Sequence, residues 1–410
     1  MSATQHASPS GADARSLTVI LAAGALVLAL SFGVRTVFGG VLDPISQEFG
    51  WPRETFSLSL AIQNLVWGLA QPFFGMIADR FGDRRAHWLG FFCYLAGMVL
   101  TVLGTTPMEM HMGAGVLVGA GVAGTAFGLV LAVVGRAAPD NKRSKYLGLV
   151  AAMGSAGQAI MPILAGWLTV AYGWQAMLVV MTILILPMAF CIPFLHVKSQ
   201  PSAPGAPADA TILEMLKRAF GYSSYNLLVI GFFVCGFHVA FIAVHFPAFV
   251  TEMCGDPALG LQALGVVGLA NIFGSLMAGY LGDRFPKPYI LSAIYALRSL
   301  VIFLFITLPI TPTSVMIFAV TIGMLWLSTV PLTSGLVAGM FGPKYMATLY
   351  GFVFLSHQLG SFLGVWLGGR LYDIYNSYDI VWWAAIALGI ASAIVHLPIR
   401  ERPPETAVPA

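Results

Sequence analysis

Two arginines and three histidines stand inside long uncharged stretches of this chain, and their types set the chemistry available there. Arg35 follows an uncharged run that begins at Ser16. A planar guanidinium so placed can hold a carboxylate through two parallel hydrogen bonds. Its alternatives are a structural pair with Asp43, eight residues on, or snorkelling outward. For Arg298 the expected role is packing against a neighbouring helix and pairing with backbone carbonyls. His238 and His245 lie seven apart, two helical turns, and share a face. With no third ligand nearby they do not make a zinc site, and no metal is expected. His357-Gln358 sets a ring that titrates at about pH 6.5 when unperturbed beside an amide. That pairing suits a proton carried together with an anion. Asn271, with Gln63, Asn64 and Gln158, can line a path or act as interhelical hydrogen-bond glue.

Absences narrow the chemistry. All 17 acids fall in loops, tails or the ends of apolar stretches. Buried cationic and histidine positions without a buried acid favour anions. No Gly-x-x-x-x-Gly-Lys loop is present, so direct drive by ATP is not expected. No nucleophile constellation stands out. Neither an enzyme nor a cofactor is expected, and nothing points to nucleic acid.

The elements that must position these residues follow from composition. Hydrophobic residues make up 58% of the chain and Asp, Glu, Lys and Arg only 9%, which fits a multi-span membrane protein and not a soluble domain. About 20 apolar residues cross the hydrocarbon, so 410 residues hold roughly twelve spans. Apolar runs place helices near 16–42, 54–78, 87–105, 110–137, 146–171 and 175–196, then near 223–250, 259–282, 288–308, 313–340, 346–369 and 380–398. The expected fold is an all-α integral membrane protein of twelve transmembrane helices in two pseudo-symmetric six-helix bundles. Residues 1–15 form an N-tail, 16–196 the first bundle, 197–222 a Pro- and Ser-rich linker, 223–398 the second bundle and 399–410 a C-tail. Arg35 then stands about 28 Å along the first helix, beyond the midplane on the external side. Of the 20 Lys and Arg, sixteen fall on the side of the termini, only Arg53 and Arg370 on the other, and Arg35 and Arg298 within spans. That bias puts both termini in the cytoplasm.

A duplication is legible. Gly75-Met-Ile-Ala-Asp79-Arg80-Phe81-Gly82-Asp83-Arg84-Arg85 recurs as Gly279-Tyr-Leu-Gly-Asp283-Arg284-Phe285-Pro286-Lys287, a shift of 204. Gly148, Gly157 and Gly166 recur at Gly351, Gly360 and Gly369, a shift of 203. Small residues at such spacing let helices approach closely in lipid. The shift also lands Arg35 on His238 or Val239, which sets Arg35 and His238 at near-equivalent positions on the two bundles.

The loop Gly-x-x-x-Asp-Arg-x-Gly-x-Arg-Arg resembles the signature of the major facilitator superfamily, whose second copy is usually degenerate, as it is here. The resemblance implies a central cavity and rocker-switch alternating access. The gating motif would comprise Gly75, Asp79, Arg80, Gly82, Arg84, Arg85, Asp283 and Arg284, with the charges around Asp79 latching the outward-facing state. Glu48-Phe49-Gly50-Trp51, Ser57, Ala152-Met153-Gly154-Ser155 and Tyr172-Gly173-Trp174 are more closely similar to the monocarboxylate transporter and oxalate/formate antiporter branches. By that likeness His357, after Tyr350-Gly351, occupies the place of a substrate-binding lysine. The chain departs in the eighth span, where Asn271-Ile-Phe-Gly-Ser275 stands in place of the branches' arginine.

The expectation is a secondary active carrier of a small organic anion, a carboxylate, moved by proton-coupled symport. Arg35, His238, His357, Gln358 and Asn271 would contact substrate, with His357, His238 and His245 as proton-coupling candidates. Its partners are substrate, protons and the lipid bilayer, its location the bacterial inner membrane, and its working unit a monomer. The alternatives are an exporter of amphipathic or toxic compounds and a non-transporting membrane sensor.

Overall fold

The computed structural model describes residues 11–139, 143–196, 212–341 and 346–401, of which residues 11–16, Asp79, 143–145, 212, 346 and 347 are described in their backbone only. The outer parts of both expected tails and linker residues 197–211 lie outside the described residues. The described residues form helices joined by turns, bends and short irregular links, with no strand among them. Among the described residues, ten stretches are long and apolar enough to cross a membrane. One of them, Tyr146–Phe194, is two helices, because Gly173 takes φ 85 within it and reverses the chain. Adding the 30-residue helix Met346–Tyr375 gives twelve.

In chain order, α1 begins as Gly11–Thr36 and continues through Val37–Val41 and Leu42–Phe49, α2 is Arg53–Phe81, α3 is Asp83–Leu103 and α4 is Pro107–Ala137. Helices α5 (143–172) and α6 (174–194) meet at Gly173. The amphipathic helix Ile212–Phe220 precedes α7 (Ser223–Cys254), α8 (Leu259–Gly282) and α9 (Lys287–Thr307). α10 comes in two halves, Pro312–Met324 and Thr329–Phe341, and α11 (Met346–Tyr375) and α12 (Asp379–His396) complete the chain.

The same local devices recur in both halves. α1 and α7 each stop at a left-handed glycine, Gly50 (φ 65) and Gly255 (φ 70). Such a residue lets the chain turn out of a helix without Cβ strain. α4 and α10 each start with Pro after a capping threonine, Thr106 and Thr311, whose side chain accepts from the third helical N–H. Gly82 needs its positive φ of 92 to turn α2 into α3. Its counterpart Pro286 sits at φ −58, so the second loop turns differently.

Of the repeated glycines, the middle pair brings helices of one bundle into close contact. A Cβ at Gly157 would collide with the Ala29 carbonyl of α1, and one at Gly360 with the Phe233 carbonyl of α7. Each bundle thus packs its fifth helix on its first in the same way. Between bundles α2 lies along α11 and α5 along α8. One apolar core runs through the first bundle and across to Phe241, Phe246, Phe249 and Trp382 of the second, while a separate core fills the second bundle near Tyr225, Leu336 and Leu349.

Candidate functional site

The two bundles are sealed at the end away from the termini. Arg53, at the start of α2, pairs with Asp43 at 2.7 Å in its own bundle and reaches Glu252 (3.4 Å) and the Tyr378 hydroxyl (3.1 Å) in the other. Its guanidinium lies 3.8 Å from the Tyr372 ring centroid. Glu54 accepts from Trp366 Nε1 (3.0 Å) and Arg370 (2.9 Å). Asp373 of α11 accepts the backbone N–H groups of Arg53 (3.0 Å) and Glu54 (2.6 Å). The residue at the α2 N-cap is Pro52, which makes no side-chain cap. A carboxylate from the other bundle therefore caps this helix, where the helix dipole favours negative charge. Close packing completes the seal, since added carbons at Gly39 and Gly369 would strike α7 and α2.

At the opposite end Gly148 and Gly351 have nothing within 4 Å of where a Cβ would lie. The ion pairs found there among the described residues, Arg136–Asp83 and Lys287–Glu401, join helices of one bundle. Among the described residues no ion pair joins the two bundles at this end.

Between these ends a polar chain crosses the molecule. Arg35 Nη2 donates to Asn64 Oδ1, and the guanidinium stands over Trp67, 4.9 Å from its ring centroid. The Asn64 carbonyl accepts from Gln358 Nε2 at 2.9 Å, and Gln358 Oε1 meets His357 Nδ1 at 2.9 Å. Arg35, Gln358 and His357 are thus brought together through Asn64. Asp43 does not pair with Arg35, because Arg53 occupies it. Arg35 Nε is buried without a hydrogen-bond partner, and no acid pairs with Arg35 among the described residues. Asn271 makes a second crossing, donating to Ser155 Oγ of α5 (3.2 Å) while its Oδ1 accepts from Leu327 N (2.9 Å) in the break of α10.

His238 lies elsewhere. Its Nε2 is 2.7 Å from the Ala385 carbonyl of α12, inside the second bundle, and Nδ1 has no partner. The register corrects the expectation that set it opposite Arg35. Ala29 and Phe233 take the same place against Gly157 and Gly360, a shift of 204 between α1 and α7, so the mate of Arg35 is Val239. One residue is about 100° of helix rotation, enough to turn His238 away from the cleft. His245 is likewise enclosed, with Nε2 2.7 Å from the Val365 carbonyl and Nδ1 3.2 Å from the Tyr378 hydroxyl. Burial pushes the Tyr378 phenol up despite Arg53, so the hydroxyl keeps its proton and can donate it. An N–H at Nε2 and a lone pair at Nδ1 make His245 the neutral tautomer.

Arg298 is a structural clamp. Its Nε donates to the Leu325 carbonyl (3.0 Å), Nη2 to the Leu325 and Trp326 carbonyls, and Nη1 reaches Cys235 Sγ (3.4 Å). These carbonyls are freed where α10 breaks. Arg298→Met leaves them buried without donors, at about 1–3 kcal/mol for each unsatisfied group. The expected result is a lower melting temperature of the purified protein, with ligand-induced stabilisation retained.

The comparisons with known proteins now fall into place. The Major Facilitator Superfamily model matches residues 24–365 and 259–410. The chain belongs to the Major Facilitator Superfamily. Monocarboxylate transporter 13 of Bos taurus is 24% identical over 374 residues, covering 90% of this chain and 86% of the relative. The oxalate:formate antiporter of Oxalobacter formigenes is 24% identical over 390 residues, covering 91% and 89%. Among solved structures, a D-xylose-proton symporter superposes with a TM-score of 0.74 at 14% identity, covering 96% of this chain and 99% of that one, a likeness of fold.

Within this superfamily member the signature loops lie at the end opposite the seal. Arg80 stacks on Phe81 and Arg284 on Tyr280 (3.7 Å), each in its own bundle. Asp83, in the middle of the first loop, is the buried acid there and holds Arg136 at 2.5 Å. Two of the stretches that carry the branch resemblance, Glu48–Trp51 and Tyr172–Trp174, meet at the sealed end, where Trp174 donates to Glu48 (2.5 Å) and Phe49 stacks on Trp51 (4.6 Å). Sequence reasoning missed the seal formed by Arg53, Glu54, Arg370 and Asp373. The signal was available: Arg53 and Arg370 are the two cations that break the charge bias of the loops.

Proposed function

We propose that this transporter moves a small organic anion with a carboxylate across the bacterial inner membrane, by alternating access and proton symport. The observation that carries the proposal is Arg35, a cation between the bundles with a buried, unpartnered Nε and no acid paired to it among the described residues. An arginine within a span carries a desolvation cost, about 2.5–3.5 kcal/mol on insertion scales at the membrane centre, and a bound anion would offset the part that Arg35 bears. Relatives named for monocarboxylate and oxalate:formate transport agree with this chemistry. The charge bias of the loops supports cytoplasmic termini, so on this reading the cleft between the bundles opens inward and the Arg53 cluster is the external gate. The signature loops, with Asp79 and its arginines, would form the opposing cytoplasmic latch once that cleft closes. That one chain contains both bundles supports a monomer as the working unit.

Of the three histidines, only His357 belongs to the polar chain that reaches Arg35, and it is the proposed proton site. His357→Gln should abolish accumulation of carboxylate driven by an imposed pH gradient in proteoliposomes, while exchange of labelled for unlabelled substrate continues. Retained gradient-driven accumulation would remove His357 from the coupling step. Uptake by the unaltered protein under the same gradient tests the function itself. No gradient-stimulated carboxylate uptake in a screen of small acids would overturn it.

A further inference from the structure

We infer that the cargo carries a single carboxylate on a flat apolar body, an arylcarboxylate in chemical class, held at its charged end by Arg35 and along its body by Trp67, Phe127 and Phe354. This rests on the reading of Arg35 as the carboxylate site. The first ground is asymmetry across the pseudo-two-fold. The repeat pairs Arg35 with Val239, which like Arg35 is half-buried, so one bundle offers a cation where the other offers a hydrocarbon. The second is the count of available cations. Arg298, the other arginine within the spans, has its donors occupied by the Leu325 and Trp326 carbonyls and Cys235. A dianion would therefore leave one carboxylate without a permanent counter-charge, dependent on the proton carried by His357, which disfavours it.

The third ground is the ring geometry around the guanidinium. Trp67 lies under Arg35 and meets Phe354 of the other bundle edge to face, with centroids 5.2 Å apart at 68°. Phe32 bridges Trp67 (5.7 Å) to Phe127 (4.6 Å). Phe354 stacks on His357 at 9° and 5.6 Å, and both Phe127 and Phe354 remain half-buried. Gly154 faces Phe127 and Phe32 at 3.6 Å from where its Cβ would lie, which keeps bulk off these rings. A planar body beside such rings gains offset or edge contacts that a two- or three-carbon acid cannot make.

The test is binding to the purified full-length protein by calorimetry and thermal shift, with phenylacetate, benzoate, acetate, lactate, oxalate and terephthalate as probes. Phenylacetate or benzoate should bind about tenfold or more tighter than acetate and lactate. Terephthalate, with the same ring and a second charge, should bind about tenfold weaker than benzoate. Trp67→Leu and, separately, Phe354→Leu should each bring the aryl acids down toward acetate. Using both guards against a folding defect in either. If acetate, lactate or oxalate binds as tightly as the aryl acids, and Arg35→Gln abolishes that binding, the inference fails and the carboxylate reading stands. If no carboxylate binds in an Arg35-dependent way, both fail.

Discussion

Arg35→Gln is expected to abolish carboxylate binding and uptake while leaving the empty protein as stable as before, or more so. Both halves come from the same environment. Hydrogen bonds to a charged group contribute about 1.5–3 kcal/mol, roughly 10- to 150-fold in affinity, and glutamine cannot supply the charge. The guanidinium has Asn64 and the Trp67 face for company and no acid among the described residues, so its removal relieves desolvation and breaks no ion pair. A structural arginine behaves in the opposite way, as Arg298→Met should. Thermal shift with and without carboxylate, beside proteoliposome uptake, reads both halves. Normal uptake by Arg35→Gln would sink the assignment.

Arg53→Ala is expected to swing the protein toward the state open at the end away from the termini. Arg53 is the hub of that seal, touching Asp43, Glu252, Tyr378 and the Tyr372 ring. Without it two carboxylates face each other across the bundle boundary. Removing a charged hydrogen-bond hub of this kind is worth about 2 kcal/mol, a factor of roughly 30 in the ratio of the two states. Spin labels at Thr105 in the first bundle and Asp256 in the second should report a longer separation in Arg53→Ala than in the parent. Arg53→Lys should fall between, since it keeps charge but loses the planar contacts. An unchanged distance distribution would remove the cluster from gating.

Much of the fold was legible because a membrane restricts the choices. Uncharged runs of about 20 residues become helices, and the repeated glycines register the two halves. Gly157 and Gly360 meet the first helix of their own bundles as the repeat required. The site was legible only in part. Arg35 and His357 stood out because ionisable groups within spans are rare. His238 stood out for the same reason, yet a shift uncertain by one residue could not say which way it faces. Asn271 could be seen as polar, but not as the ligand of a break in another helix, which depends on how α8 lies beside α10. The seal lay beyond sequence reasoning for a related cause. Arg53, Glu54 and Asp373 read singly as interfacial charges, and only the approach of α2 to α11 makes them one network.

The cap that Asp373 lends to α2 ties secondary structure to the transport cycle. An N-cap is worth about 1 kcal/mol to a helix, and on the proposed alternating-access cycle the cap sits on a body that moves away. Each opening of this end leaves the first turn of α2 without its acceptor, and each closure restores it. The free energy of folding one helix end is thus part of the equilibrium between the two states. A sequence change at Pro52 that let α2 cap itself would bias the carrier without touching substrate, gate charges or core.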